Sequence, residues 1–221
     1  IYTFGNFMGT YQGNKTNEKF SSFLTKYDKN GNLVGSKILK GNSHVTSREI
    51  VISNDNYLYI NGQASGNIDG HSSLGGSDVF LAKYDLNLNQ EWLKILGTSK
   101  DDNTTKLGIN NNSNLYLLNY FGNNNALYKY SKDGDFSSYK SYNGTSGISD
   151  FKISDDGSIY VTQNINSKDN KLDIFYGKID SEGWLKHYQS FGSGGNDWIN
   201  GSTIYKDDFY IYGRTSGNIF D

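Results

Sequence analysis

The sequence predicts an all-β chain built as a repeat array, and three observations predict it. A short aromatic-centred run returns at Tyr2, Tyr59, Tyr116, Tyr160 and Tyr210, in the settings IYTFG, LYING, LYLLN, IYVTQ and FYIYG. Its spacings of 57, 57, 44 and 50 residues lie close to one propeller blade. A second run, ending in apolar–Lys–aromatic, follows it: Leu24-Thr25-Lys26-Tyr27, Leu81-Ala82-Lys83-Tyr84 and Leu127-Tyr128-Lys129-Tyr130, with Lys178-Ile179 closing a fourth copy. The third observation is composition. Eighteen Tyr and twelve Phe favour strands, while 26 Gly and no Pro leave the turns to Gly, Asn and Asp. Together these predict a β-propeller of four-stranded antiparallel blades, about four repeats that form part of a larger ring or array.

Each unit reads as four strands. Strand b is the aromatic run and strand c the Lys–aromatic run. Strand a precedes b, at 48–53, 106–110, 148–154 and 201–205. Strand d follows c, at 34–39, 92–96, 138–142 and 184–191. Large apolar and polar side chains alternate along these runs, as half-buried strands require. Counted from strand b, the repeats span 1–57, 58–114, 115–158 and 159–208, with a partial copy at 209–221. The stretch 58–97 is the most regular. The chain opens on a strand b and closes on another, so an excised piece of a longer array is expected in preference to a closed ring of four. The strands at 1–5 and 209–213 would then present open edges, and such edges recruit other chains. Head-to-tail self-association into a filament is the corresponding expectation.

Charge and composition exclude several functions. A net charge of −2 gives no electrostatic footprint for nucleic acid. No apolar run approaches the ~20 residues needed to cross a bilayer, so no membrane insertion is expected. Without cysteine there are no disulfides, thiolate metal sites or cysteine nucleophiles. His44, His71 and His187 fall at unrelated repeat positions, and no G-x-S-x-G or phosphate-loop pattern occurs. No cofactor and no catalytic residue is expected.

The stretch GGSDVFLAKYD at 75–85, followed by EWLKILGTSKDD at 91–102, resembles the bacterial β-propeller repeats called SBBP repeats. Those units pair a G-S-D-A-F-V-A-K-like strand with a W-x-x-x-L-G-like strand. The likeness is close over 58–102, fair at 159–197 and at 1–41, and poor at 115–144, where Ser138 stands in the place of Trp92. The resemblance implies a propeller fold and a secreted or cell-surface bacterial protein. It implies no activity.

Antiparallel order places the b–c and d–a loops at one end of the sheets and the tight turns at the other. The long polar b–c loops, 6–19, 63–77 and 164–171, are the candidate binding surface. The c–d turns carry oxygen-bearing side chains at alternate positions: Asp28, Asn30 and Asn32; Asp85, Asn87 and Asn89; Asp133 and Asp135. That spacing makes them calcium candidates in the manner of an opening EF-hand loop. Tight hairpin turns want the same residues, however, and Leu33, Gln90 and Phe136 stand where that loop requires Gly, so the turn reading is preferred. Adjacent acids at 101–102, 155–156 and 207–208 point apart in extended chain and read as solvated turn residues. The N-x-S/T sequons at Asn14, Asn103, Asn111, Asn143 and Asn200 match chance for this composition. Phe80 and Trp92 read as buried anchors, and Trp184, also on strand d, as packing against the next blade. The functional expectation is a non-catalytic extracellular scaffold for adhesion or assembly, with other protein chains or surface glycans as partners. The alternative is a carbohydrate-binding, lectin-like propeller using the long b–c loops.

Overall fold

The computed structural model describes residues 1–16, 18–121, 124–141, 148–180, 184–206 and 208–218. The expectations that touched loop residues 122–123, Tyr142, Asn143, Asp207 and the terminal 219–221 lie outside them. The described chain is all-β. Five antiparallel sheets follow one another, and every expected strand is present.

The first sheet has three strands, β1 (Tyr2–Phe7), β4 (Ser21–Tyr27) and β5 (Leu33–Leu39). A small hairpin, β2 (Thr10–Tyr11) and β3 (Asn14–Lys15), sits within its long loop, where no strand was expected. The second sheet is β6 (Val45–Ile52), β7 (Tyr57–Ala64), β8 (Asp78–Asp85) and β9 (Gln90–Leu96). The third is β10 (Asn103–Ile109), β11 (Leu115–Phe121), β12 (Asn124–Tyr130) and β13 (Phe136–Ser141). The fourth is β14 (Asp150–Ile153), β15 (Ile159–Asn166), β16 (Leu172–Ile179) and β17 (Leu185–Phe191). The last pairs β18 (Asp197–Tyr205) with β19 (Asp208–Thr215). Each four-stranded sheet is a simple meander in the order a-b-c-d. A repeat counted from strand b therefore ends with the first strand of the following sheet.

The two motifs that mark the repeat meet across strands b and c. Lys26 stands opposite Tyr2, Lys83 opposite Tyr59, Lys129 opposite Tyr116 and Lys178 opposite Tyr160. In each pair the ammonium lies over the ring, 5.8, 5.7, 6.0 and 5.3 Å from its centre. A cation against an aromatic face is worth about 0.5–2 kcal/mol, more as water is excluded. Directly after each Lys the pairing with strand d slips by one residue, a bulge that recurs in all four copies.

Alternation along strand b sends neighbouring residues to opposite faces. Leu58 and Ile60 enter a core shared with the first sheet, around Leu24, Leu39 and Phe80. Tyr59 enters a second core with Leu107, Leu115 and Leu117 of the third sheet. Tyr116 and Leu118 enter a third, with Phe151, Ile159 and Val161 of the fourth sheet. Each fully buried side chain of this size contributes about 1.5–3 kcal/mol. The tyrosines also reach across sheets. Tyr2 donates to the carbonyl of Leu86 (2.8 Å) and Tyr59 to that of Lys132 (3.2 Å), each in the c–d turn of the next sheet.

The first strands of successive sheets lie against one another, β6 with β10, β10 with β14 and β14 with β18. Among the described residues the first and last sheets form no packed interface, and no closed propeller is present. Phe80 is fully buried, as expected. Trp92 is half-buried and packs with Tyr59, 6.0 Å between rings. Trp184 departs from expectation: it is 60% exposed, with the Lys140 ammonium 3.3 Å above its ring. Among the described residues no packed sheet covers it.

Candidate functional site

The c–d turns show how this chain uses acidic turn residues. Asp28 Oδ1 accepts the amides of Asn30 and Asn32, and its Oδ2 accepts the Asn32 side-chain amide. Asp85 repeats this with Asn87 and Asn89, at 2.8 Å for all three bonds. Those donors, the side-chain amides of Asn32 and Asn89 first, hold both carboxyls below their ordinary range. In the third copy Ser131 Oγ takes the amides of Asp133 and Asp135, and Asp135 pairs with Lys94 at 2.7 Å. These groups close turns, and the asparagine amides donate inward where a cation would need oxygen.

The loop end is built differently. The b–c loop of the second sheet folds onto Asp78, whose Oδ2 accepts from Ser73 Oγ (2.7 Å) and the Leu74 amide (2.8 Å). The following d–a loop folds onto Asp102, which accepts from the amide and hydroxyl of Thr98. The loops join where the Ser77 amide donates to Asp101 Oδ1 and the Asp102 amide to the Ser77 carbonyl. A side chain at Gly75 would lie 2.6 Å from the Thr98 carbonyl, which is why the Gly75-Gly76 pair is needed there. Asp101 is exposed as expected, but Asp102 is only 1% exposed. The expectation of two solvated acids fails for Asp102 because the returning loop wraps around it.

Beside this junction opens a cleft of about 650 Å³. Its walls come from Gln63, Ser77, Lys100, Asp101, Asn103 and Tyr120. Gln63 is oriented by donating to the Asp102 carbonyl (2.9 Å) and accepting from Arg48 (2.6 Å). Tyr120 is 45% exposed. A second cleft, about 450 Å³, opens at the fourth sheet between its b–c loop, with Asn166, Lys168 and Asp169, and its d–a loop at Ser193. Both clefts sit on loops singled out from the sequence, 63–77 and 164–171. The aromatic Tyr120 and the buried acids Asp78 and Asp197 were not singled out, and Asp102 was read as a solvated turn residue. The signal was present: Asp78-Val79-Phe80 recurs as Asp173-Ile174-Phe175, and Gly97 and Gly192 each precede an Asp by five residues.

A charged row also runs along the inner strands. Lys106 lies 3.3 Å from Glu49 and 3.6 Å from Asp150, and Asp150 also accepts from the amide and hydroxyl of Ser202. Burial lowers the Lys106 pKa, but Asp150 and Glu49 outweigh it and the net shift is upward. The histidines stay apart: His44 Nδ1 accepts the Phe20 amide, and His187 lies exposed beside Tyr176. Among the described residues no three His, Cys, Asp or Glu side chains gather into a metal-type group.

No protein-family model matches the chain, and no curated protein does. Among solved structures, the chain is similar to the crystal structure of a protein of unknown function from Bacteroides caccae, at 8% identity and a TM-score of 0.32. That match covers 86% of this chain and 93% of the other. A similarity at that level carries no argument about function.

Proposed function

We propose that the sheets are blades of a β-propeller arc of SBBP-like repeats, serving as a non-catalytic, secreted or cell-surface adhesion scaffold. Its adhesive surface is the loop end, and its ligands are glycans. The packing of each first strand on the next supports the blade reading, since propeller blades line an axis in this way. The observation that carries the binding reading is the pair of clefts. The smaller lies between a b–c loop and a d–a loop, and the larger between a d–a loop, Ser77 at the end of a b–c loop, and the strand residues Gln63, Asn103 and Tyr120. The larger combines a half-exposed tyrosine face with amide, carboxylate and ammonium groups, a set suited to a sugar ring with its hydroxyls. The non-catalytic reading is supported by the separated histidines and by carboxylates already engaged in closing loops and turns.

A glycan array probed with the 221-residue chain tests this. Binding to a restricted set of glycans is expected, and Tyr120→Ala should weaken it about tenfold or more, the loss of one stacking contact of ~1.4 kcal/mol or more. An array with no signal above background would overturn the glycan reading and leave the scaffold reading in place.

A further inference from the structure

Two buried carboxylates face each other at the base of the loop junction. Asp78 is fully buried and Asp102 nearly so. Oδ2 of Asp78 is occupied by the b–c loop, but its Oδ1 is buried with no hydrogen-bond partner. That oxygen is directed at the space beside Gly97. The point a Cβ of Gly97 would occupy is 2.6 Å from Asp78 Oδ1 and 2.6 Å from Asp102 Oδ2. Two carboxylate oxygens therefore converge beside Gly97, closer than any side chain at that position would allow.

The arrangement occurs twice. Beside Gly192, the corresponding point is in contact with Asp173 Oδ1 and 2.9 Å from Asp197 Oδ2. Ser193 holds Asp197 through its amide and hydroxyl, as Thr98 holds Asp102. In both copies the first Asp stands nineteen residues before the glycine and the second five after it. The first sheet is the internal contrast. Ser22 pairs with Leu39 there as Val79 pairs with Leu96, so Ser21 and Lys40 stand in the places of Asp78 and Gly97. Where the acid is missing, the glycine is missing too.

Burying two carboxylates face to face favours the uptake of a proton or a cation between them. The facing groups are hard oxygens, a donor set that suits calcium, magnesium and manganese, and calcium's flexible six-to-eight coordination accommodates two carboxylates fixed by separate loops better than magnesium's strict octahedron does. We infer that each carboxylate pair, Asp78 with Asp102 and Asp173 with Asp197, binds a calcium ion. The ion would take one oxygen from each Asp, and further oxygens, water included, complete its six to eight ligands. Because Asp78 organises the b–c loop and Asp102 the d–a loop, the ion would lock the junction that walls the cleft. The inference stands whether or not the clefts take glycans.

Titration calorimetry of the EDTA-stripped 221-residue chain with calcium chloride tests it. About two ions per chain are expected, with Kd near 10⁻⁴–10⁻³ M as in extracellular modules, together with a calcium-dependent rise of several degrees in Tm. Asp173→Asn, in the half-buried pair, should leave one ion per chain. Asp78→Asn combined with it should leave none and abolish the rise in Tm. If the double variant does not fold, the wild-type stoichiometry and the Asp173→Asn count still decide. No heat and no Tm change at about 10 mM calcium, well above that Kd range, would overturn the inference, as would an ion count unaltered in Asp173→Asn.

Discussion

The contact between the second and third sheets and that between the fourth and last sheets are made by corresponding strands, yet they are filled differently. The former is a closed apolar layer in which Tyr59, Leu81, Leu115 and Leu117 are all fully buried. Among the described residues the latter is centred on one aromatic side chain, Phe209, stacked on Tyr160 at 4.9 Å and leaning toward Tyr176 at 6.4 Å. Elsewhere that contact is polar, with Asn164 donating to the Asp197 carbonyl at 2.8 Å. Strand β17 is exposed along its whole length. The cause is strand count. Among the described residues the last sheet consists of β18 and β19, and β16 and β17 face no c and d strands there. Strands a and b set where sheets meet, and strands b and c of the second and third sheets supply most of the buried side chains of that contact. In repeat architectures stability is a sum of neighbour contacts, and here those contacts are unequal.

Paired substitutions give the largest test. Leu81→Ala empties a fully buried site at the contact between the second and third sheets and should lower stability by about 2–5 kcal/mol. Phe209→Ala, at the weaker contact, should lower it by about 1–2 kcal/mol. Denaturant midpoints measure both, and equal losses would mean that the two contacts are not different in kind. Next in size is the exposed surface of the last sheet. Tyr210→Ser should stay within about 0.5 kcal/mol of wild type, because that ring is 49% exposed. A larger loss would show that β19 is covered by something in solution.

The inner charged row offers a smaller effect with a definite pH signature. Lys106→Met should cost ~1 kcal/mol at neutral pH, allowing for solvent screening. The folded-state pKa of Lys106 is raised, so its contribution is complete below the unfolded value of about 10.4 and is lost as pH rises through the folded value. Urea melts of wild type and variant should therefore keep their gap up to about pH 10.4 and converge as pH passes the raised folded-state value. A gap that persists there would assign the effect to packing. The smallest effect concerns the turns. Asp85 has a lowered pKa, so its hold on Asn87 and Asn89 is present above about pH 3.9 and is lost as pH falls through the lower folded value. The amide resonances of those two residues should titrate below that point, and calcium should leave them unmoved.

The sequence by itself determined the strands. Period-two alternation, aromatic runs and Asx-rich turns are local signals, and they located all four strand types to within a few residues. It also contained the Lys–Tyr pairs, because strands b and c are joined by one loop and their register follows from the pattern on each. The hairpin at Thr10–Lys15 was not legible, since two-residue strands leave no periodicity to read. The tertiary structure decided which residues of different repeats meet. Asp101 and Asp102 are neighbours of one chemistry, and only the path of the returning loop leaves the first in solvent and buries the second against Asp78. Glu49, Lys106 and Asp150 lie tens of residues apart on three strands, and they form one row only because those strands pack side by side. Separations of that kind are fixed by how sheets stack, and no local pattern in the chain specifies the stacking.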